Sequence, residues 1–359
     1  MPLKIALVCA SAMLFTYVGY PLLTYLLSRV ARRPVLKGAY FPRISVILPI
    51  HNESERIASK VHNIMSQSYP RELMELIIVD DGSDVPLSGA FLKDAGPGVR
   101  VITLHERKGK ASALNAGAKA ANGEVVVFTD ARQTLARDAL TALVANFADQ
   151  RVSAVTGRLS AAYASSDGLF RVYEERLRSW EAAWGSCVGS TGALYAVRKS
   201  ALAPISPDTI LDDLVISLSA CRRGRLVYER DAVACEADSD VDRVWPRRLR
   251  TLAGNWQIVF APVRFYKAYA PSVLFQLFCH KGLRLAFPFL AVTFVVALMA
   301  SLPFSAIAAY AGIFVPCVFL VVVALGKKRV REIARHLFVA PVAALIRYLA
   351  GLETVLWAH

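Results

Sequence analysis

Residues Ile5–Leu27 carry no charged side chain, and the run is about the ~20 residues needed to cross a bilayer. In hydrocarbon a lone segment satisfies its own backbone only as a helix. Lys4 precedes the run, whereas Arg29, Arg32, Arg33 and Lys37 follow it. Positive charge on that side favours an uncleaved anchor, its carboxyl end cytoplasmic, over a cleaved signal peptide. A second apolar region opens near Leu285, where Leu285–Leu302 and Ala306–Leu325 read as two spans joined by a tight turn at Pro303. The basic stretch Lys327–Arg335 then marks a cytoplasmic side again. Leu337–Trp357 is a third candidate, interrupted by Arg347 and Glu353, which either spans or lies partly in the interface.

The chain thereby divides into an N-terminal anchor with a basic flank (1–37), a polar central domain (38–262), an amphipathic interfacial helix (263–284) and C-terminal transmembrane helices (285–359). The interfacial helix is read from aromatics mixed with Lys267 and Lys281 and followed by Arg284. This layout describes a multi-pass protein of the cell inner or plasma membrane with its central domain in the cytoplasm. A hydrophobic content of 55% agrees, being too high for an ordinary soluble chain. The net charge of +14 does not call for nucleic acid, because much of the excess flanks the spans, where anionic headgroups attract it. Cys9, Cys187, Cys221, Cys235, Cys279 and Cys317 are scattered, which fits reduced thiols and supports neither a zinc site nor a disulfide framework.

Within the central domain, "RISVILPIH" (Arg43–His51) is a short apolar run suited to a buried parallel strand. "ERIASKVHNIMSQSY" has helical spacing through Ile57, Val61, Ile64 and Met65. "MELIIVDDGSD" ends a second strand in Asp80 and Asp81, "VRVITLHERKGK" gives a third, "SALNAGAKAANG" a helix, and "EVVVFTD" a fourth strand ending in Asp130. Alternating strands and helices predict an α/β domain with a mostly parallel sheet and helices on both faces. Its ligand cleft belongs at the carboxyl ends of the strands, where these carboxylates fall.

Beyond Thr134 the pattern changes. Tyr173, Leu177, Trp180 and Trp184 share one helical face with Leu169, read as core packing. "GSTGALYAVRKSAL" opens with Gly189, Ser190 and Thr191, small residues that admit a ligand or another backbone. "ILDDLVISLSACRRG" begins a helix at Asp212 and Asp213, where negative charge complements the helix dipole. "VWPRRLRTLAGNWQ" is a basic segment bearing Trp245 and Trp256, close to the membrane side.

Taken in order, "LPIHNE", "VDDGSD", "GKASALNAG", "FTDARQ" and "LDDLVISLSACRRGRLVYERDA" resemble the inverting family-2 glycosyltransferases. The resemblance is to the membrane-embedded branch of cellulose, chitin and hyaluronan synthases and related exopolysaccharide enzymes, and it covers most of Arg43–Gln257. It implies a GT-A fold, a Rossmann-like α/β domain, and a nucleotide-sugar donor, with a UDP-sugar favoured. Asp213 matches the family's catalytic Asp and would take the acceptor proton, beside Asp212. Asp80 and Asp81 would hold the nucleoside in a pocket shaped by Pro49, His51 and Glu53, and Lys110 would neutralise phosphate. Gly189, Ser190 and Thr191 would border the acceptor, which is a saccharide or lipid-linked.

Two positions depart from the family pattern. Where the membrane synthases carry Gln-x-x-Arg-Trp, this chain has Arg247-Arg248-Leu249-Arg250-Thr251. Arg250 keeps the cation that meets the diphosphate, Arg247 replaces the Gln, and Trp245 or Trp256 must serve if an aromatic platform exists at all. The second departure is Arg132, where an Asp-x-Asp motif would supply another carboxylate. Asp130 with diphosphate oxygens and water can still complete a Mg2+ or Mn2+ shell, and Arg132 then adds a fixed cation nearby. Two other readings compete: transfer of one sugar to a polyprenyl phosphate, and a non-catalytic scaffold that binds nucleotide sugar. So few spans form a narrow channel, leaving room for a homo-oligomer or an export partner.

Overall fold

The computed structural model describes residues 1–85, 87, 96–161, 166–236, 241–301 and 328–353. The expected span Ala306–Leu325 lies outside them. One eight-stranded sheet organises the central domain, in the order β3-β2-β1-β4-β7-β6-β8-β5. Its strands are β1 (Ile44–Ile50), β2 (Met74–Asp80), β3 (Val99–Thr103), β4 (Val125–Thr129), β5 (Gln133–Leu135), β6 (Val152–Ala161), β7 (Leu194–Arg198) and β8 (Arg225–Glu236). Every residue of β1 and β4 is buried, because apolar runs without alternation suit strands covered on both faces. The helices Ser54–Met65 and Ala139–Ala145 pack on one face. Lys110–Ala120 and Asp212–Ala220 pack on the other.

The sheet is mixed rather than mostly parallel. Strands β3, β2, β1 and β4 run parallel, and β6 runs parallel to β8. Strand β7 is antiparallel to both β4 and β6, and β5 is antiparallel to β8. The reversal falls after Asp130, where strict alternation of strand and crossover helix ends, and parallel neighbours need such crossovers. In the parallel half, register pairs Ile50 with Asp80 and Ile47 with Phe128. The carboxyl ends of β1, β2 and β4 therefore open on one edge, with the order reversing direction between β1 and β4.

Among the described residues, two helices are long and apolar enough to cross a membrane, Pro2–Val30 and Pro271–Ala300. They lie antiparallel: Ala6 meets Ala297 and Leu298 at one end, and Tyr20 meets Cys279 and Leu283 at the other. Leu177 joins the second cluster, with Tyr173 and Trp180 against it, so part of the expected aromatic stripe on the Ser166–Trp184 helix is core shared with these helices. Their outer faces expose Leu7, Val8, Val18, Val292 and Val296. The boundary expected at residues 284/285 falls inside the continuous Pro271–Ala300 helix. The third candidate, Leu337–Trp357, falls in part on a helix over residues 328–349 that stops before Gly351, whose φ is +64°, and its residues 354–357 lie outside those described. This helix packs on the Val241–Val259 helix, where Trp256 Nε1 donates to Pro341 O at 2.9 Å.

Candidate active site

The cleft is built from loops that tie one another in place. Asp81 is fully buried, and its two carboxylate oxygens accept the backbone N–H groups of Lys108 and Gly109, each at 2.8 Å. Gly109, at φ +87°, turns the chain into the Lys110–Ala120 helix; the left-handed region costs glycine nothing extra. Lys110 is thus aimed at the strand edge by a carboxylate on the neighbouring loop. Asp80, also fully buried, accepts from Ser83 N (3.0 Å) and Ser83 Oγ (2.6 Å) through Oδ1. Its Oδ2 is buried and has no hydrogen-bond partner among the described residues. His51 Nδ1 lies 3.0 Å from Asp81 O. Asn52 (φ +53°) exchanges hydrogen bonds with Asp84, at 2.8 and 2.9 Å, locking the β1 and β2 loops together.

At the head of the cleft, three carboxylates meet one lysine. Lys110 Nζ lies 2.8 Å from Asp130 Oδ1 and 3.2 Å from Asp212 Oδ2. Asp212 Oδ2 makes this ion pair and has no hydrogen-bond partner among the described residues. Asp213 Oδ1 accepts from Leu214 N at 2.8 Å, which leaves Oδ2 facing the cleft. A methyl group placed on Gly192 would sit 3.6 Å from Asp130 Oδ2, 3.6 Å from Asp213 Oδ2 and 3.8 Å from Lys110 Nζ. Gly192 is therefore the floor on which the acidic and basic groups converge, and its missing side chain leaves room for a reacting atom.

Electrostatics follow from this crowding. Burial and the adjacent Asp212 charge push the Asp213 carboxyl up to about 6, while Lys110 pulls it down. Burial alone would lower the Lys110 ammonium, but Asp130, Asp212 and Asp213 together raise it above the ordinary lysine value. Lys60, buried beneath the Asp130 turn, donates to Thr129 Oγ1 at 3.0 Å and to Gln133 O. Burial lowers it to about 8. It pins both sides of the turn that presents Asp130.

The surrounding cleft, about 310 Å³, is lined by Glu53, Arg132, Thr191, Arg247 and Arg250 as well as the charged core. Arg132 is exposed. Arg250 brings a buried Nε with no hydrogen-bond partner among the described residues, whereas Arg247 is engaged by Glu236 at 2.9 Å. Glu53 pairs with Arg56 at 2.9 Å. Ser190 Oγ donates to Asp213 O at 2.9 Å, and Gly189, at φ +96°, turns the same segment beneath it. Pro49 is buried in β1.

Trp245 and Trp256 do not line this cleft. Arg335 stacks on Trp245 at 3.7 Å, and Trp256 stacks on Phe260 at 5.7 Å. Gly192, Lys60 and Glu236 were not legible as site residues. The spacing Gly189-x-x-Gly192 was a signal for the first of them. Among the described residues, no three His, Cys, Asp or Glu side chains gather into a metal cage.

Residues 45–195 match the model of glycosyl transferase family 2. This stretch is a family 2 glycosyltransferase domain. The chain is 26% identical over 257 residues to the probable glycosyltransferase YdaM of Bacillus subtilis, covering 66% of this chain and 61% of that protein. It is 27% identical over 241 residues to poly-beta-1,6-N-acetyl-D-glucosamine synthase of Staphylococcus aureus, covering 64% and 58%. The chain spans about three-fifths of the length of these curated relatives. Among solved structures, the mannosyltransferase PcManGT from Pyrobaculum calidifontis, in complex with GDP-Man and Mn2+, superposes with a TM-score of 0.74 at 25% identity. That match covers 98% of this chain and 100% of PcManGT, so it takes in the apolar helices as well as the sheet.

Proposed function

We propose that this chain is a membrane-embedded inverting glycosyltransferase that moves a sugar from a nucleoside diphosphate sugar to a hydroxyl of a saccharide or lipid-linked acceptor in polysaccharide synthesis. The observation that carries this reading is the convergence of Asp213 Oδ2, Asp130 Oδ2 and Lys110 Nζ on the open face of Gly192. A base, an anchoring carboxylate and a cation share one small space, and Arg250 lies at its rim with an Nε that has no hydrogen-bond partner among the described residues. That is the minimum for displacing a diphosphate from an anomeric carbon.

In this reading the acceptor oxygen attacks the anomeric carbon as the bond to the diphosphate oxygen breaks, and its proton passes to Asp213 Oδ2. A carboxyl raised to about 6 is ionised at neutral pH yet more basic than an ordinary aspartate, as general base catalysis favours. Arg250 and Lys110 stabilise the negative charge that develops on the leaving diphosphate. Asp80 Oδ2 is a buried acceptor with no donor among the described residues, which suits a nucleoside N–H or O–H.

The donor set fits a divalent cation held by Asp130 alone among the protein's side chains, since Mg2+ commonly combines one or two carboxylates with phosphate oxygens and water. Such an ion would supply further charge to the leaving diphosphate. Membrane embedding is supported by the two antiparallel apolar helices and by their exposed outer faces, which water alone would not favour.

The test is transfer from labelled UDP- and GDP-sugars in membranes containing the full chain, with Asp213→Asn alongside. Wild-type membranes are expected to label an acceptor. The variant is expected to bind nucleotide normally and lose transfer by about 10²–10⁴-fold. Wild-type turnover by Asp213→Asn would remove the base from the mechanism.

A further inference from the structure

A second chamber, about 260 Å³, adjoins the donor cleft where the membrane-side helices meet the sheet. The two cavities share Leu159, Arg171, Thr191 and Thr251 in their walls. Arg158, Arg171, Arg178, Arg248, Lys281 and Arg284 face the chamber, against the carboxylates Glu174 and Glu175. Glu174 is heavily used already: His280 Nε2 lies 3.1 Å away, Lys281 Nζ 3.8 Å, and Arg284 Nη1 bonds to it. Burial would raise its carboxyl, but Arg284, His280 and Lys281 hold it well below the usual range. Arg158 pairs with Glu175 at 3.5 Å and Arg171 with Glu236 at 3.3 Å, so the cations gathered on Glu174 are Lys281 and Arg284. Arg284 Nε and Nη2 and Arg178 Nε remain buried with no hydrogen-bond partner among the described residues. Unmade bonds to buried charged groups are costly, and a chain of this size gains nothing in stability by collecting them here.

The helix geometry points the same way. The three π-helical turns among the described residues, Phe15–Gly19, Phe278–Gly282 and Arg335–Val339, all contribute to this chamber. They bring Tyr17, His280 with Lys281, and His336 to its wall. A π-turn inserts a residue at a cost in regular bonding and recurs at functional sites. The first two turns also present Val18 and Phe278 outward, 55% and 60% exposed. Each therefore joins a cationic interior to an apolar exterior within one turn.

We propose that this chamber seats the phosphoryl group of a lipid-linked acceptor, with the lipid running out along the exposed helix faces and the sugar entering the donor cleft past Thr191. The inference rests on the glycosyltransferase reading of the adjoining cleft. A soluble anion has no use for the apolar exits, and a neutral lipid has none for the arginines. The phosphoryl group takes no part in bond exchange: the acceptor sugar's hydroxyl gains the new bond, nucleoside diphosphate departs, and the proton goes to Asp213. Arg178 also acts at distance on the base, its charge favouring ionised Asp213, so a seated anion and the base are electrostatically linked.

The test is equilibrium binding to the full chain in neutral detergent, using farnesyl diphosphate as probe, with farnesol and inorganic diphosphate as controls. UDP or GDP with Mn2+ probes the donor cleft. Farnesyl diphosphate is expected to bind in the presence of saturating nucleotide, and to bind at least tenfold more tightly than either control. Arg178→Gln is expected to weaken it by about 10-fold to 100-fold, the worth of a hydrogen bond to a charged group, with nucleotide affinity kept. Lys281→Gln provides a second variant, read in the same way. Complete displacement by nucleotide, equal binding of either control, equal competition from phosphatidylglycerol vesicles, or unchanged affinity in both variants would overturn the proposal. Failure of any nucleotide to bind wild type counts against the glycosyltransferase reading instead, while the response of farnesyl diphosphate to Arg178→Gln still reports on the chamber.

Discussion

Replacing Lys110 with Gln removes the cation at the centre of the acidic cluster while keeping a side chain of similar length. Asp213 Oδ2 and Lys110 Nζ lie 3.6 and 3.8 Å from a common point above Gly192, so they are no more than about 7 Å apart. At an effective dielectric of about 20, unit charges about 7 Å apart interact by roughly 2 kcal/mol. That corresponds to roughly 1.5 pH units. Lys110 favours the ionised form of Asp213, so its loss moves the Asp213 carboxyl upward from about 6. The active form is the ionised one. The acid limb of kcat/KM is therefore expected near pH 6 in wild type and at least roughly 1.5 units higher in Lys110→Gln. Lost contact with the diphosphate would lower the rate by the same factor at every pH; the lost charge adds a deficit that is present at pH 7 and gone by about pH 9. Asp212→Asn makes a matched control, since the Asp212 charge raises Asp213 and its removal moves the limb downward. pH–rate profiles with a single labelled donor measure both. An acid limb that stays in place in Lys110→Gln, or moves the same way in both variants, would refute the electrostatic account.

Gly192→Leu is expected to fill the space between Asp130, Asp213 and Lys110 and to abolish transfer with little change in Tm. Gly192→Ala, whose methyl makes ordinary contacts at 3.6 Å, is expected to retain measurable activity. Gly254→Ala is expected to act from outside the cleft, because its methyl would lie 2.3 Å from Leu211 Cγ, next to Asp212. Overpacking of this kind costs about 1–3 kcal/mol, so Tm and kcat should fall together, in contrast to Gly192→Leu. Excess EDTA is expected to lower transfer, with recovery on adding Mn2+; full activity in chelator would leave the diphosphate to the protein's cations alone.

How much the sequence disclosed depends on whether an interaction is local. β1, β2 and β4 were legible because apolar runs end abruptly at Asp80, Asp81 and Asp130, and the strand itself carries those residues to the cleft edge. The antiparallel strands β7 and β5 were not, since LYAVR and QTL carry no mark of direction and pairing is settled by distant partners. Asp81 shows the limit most plainly. Its position at a strand end marked it for the site, but its two bonds run to the backbone of Lys108 and Gly109, a long-range contact that no spacing encodes. Trp245 and Trp256 fell near the expected acceptor motif, yet a tryptophan face packs equally well on a neighbouring helix, and here residues 328–349 supply one. The interfacial helix over residues 263–284 was separated from the next span by its charges. In the structure Lys281 and Arg284 turn inward onto Glu174, so the helix runs on from Pro271 past residue 284, and the break falls earlier, between Tyr266 and Pro271.

The substitution at Arg132 can now be set against the charges around it. Asp130 does not lack a cation, because Lys110 already contacts it at 2.8 Å. A second carboxylate at position 132 would have to compete with Asp212 and Asp213 for the same lysine, deepening the repulsion that raises Asp213. An exposed arginine there adds no burden to the buried cluster and lines the same cleft as Arg250. This arrangement favours a loosely held metal: before donor arrives, Lys110 satisfies Asp130, and an ion must displace or share it. The diphosphate tips that balance, since it brings several negative charges and additional oxygen ligands at once. Metal affinity is therefore expected to rise steeply with donor present, by comparison with the free protein. Titrating Mn2+ with and without nucleoside diphosphate measures that coupling, and equal affinities in the two titrations would show that Asp130 holds its ion without help from the substrate.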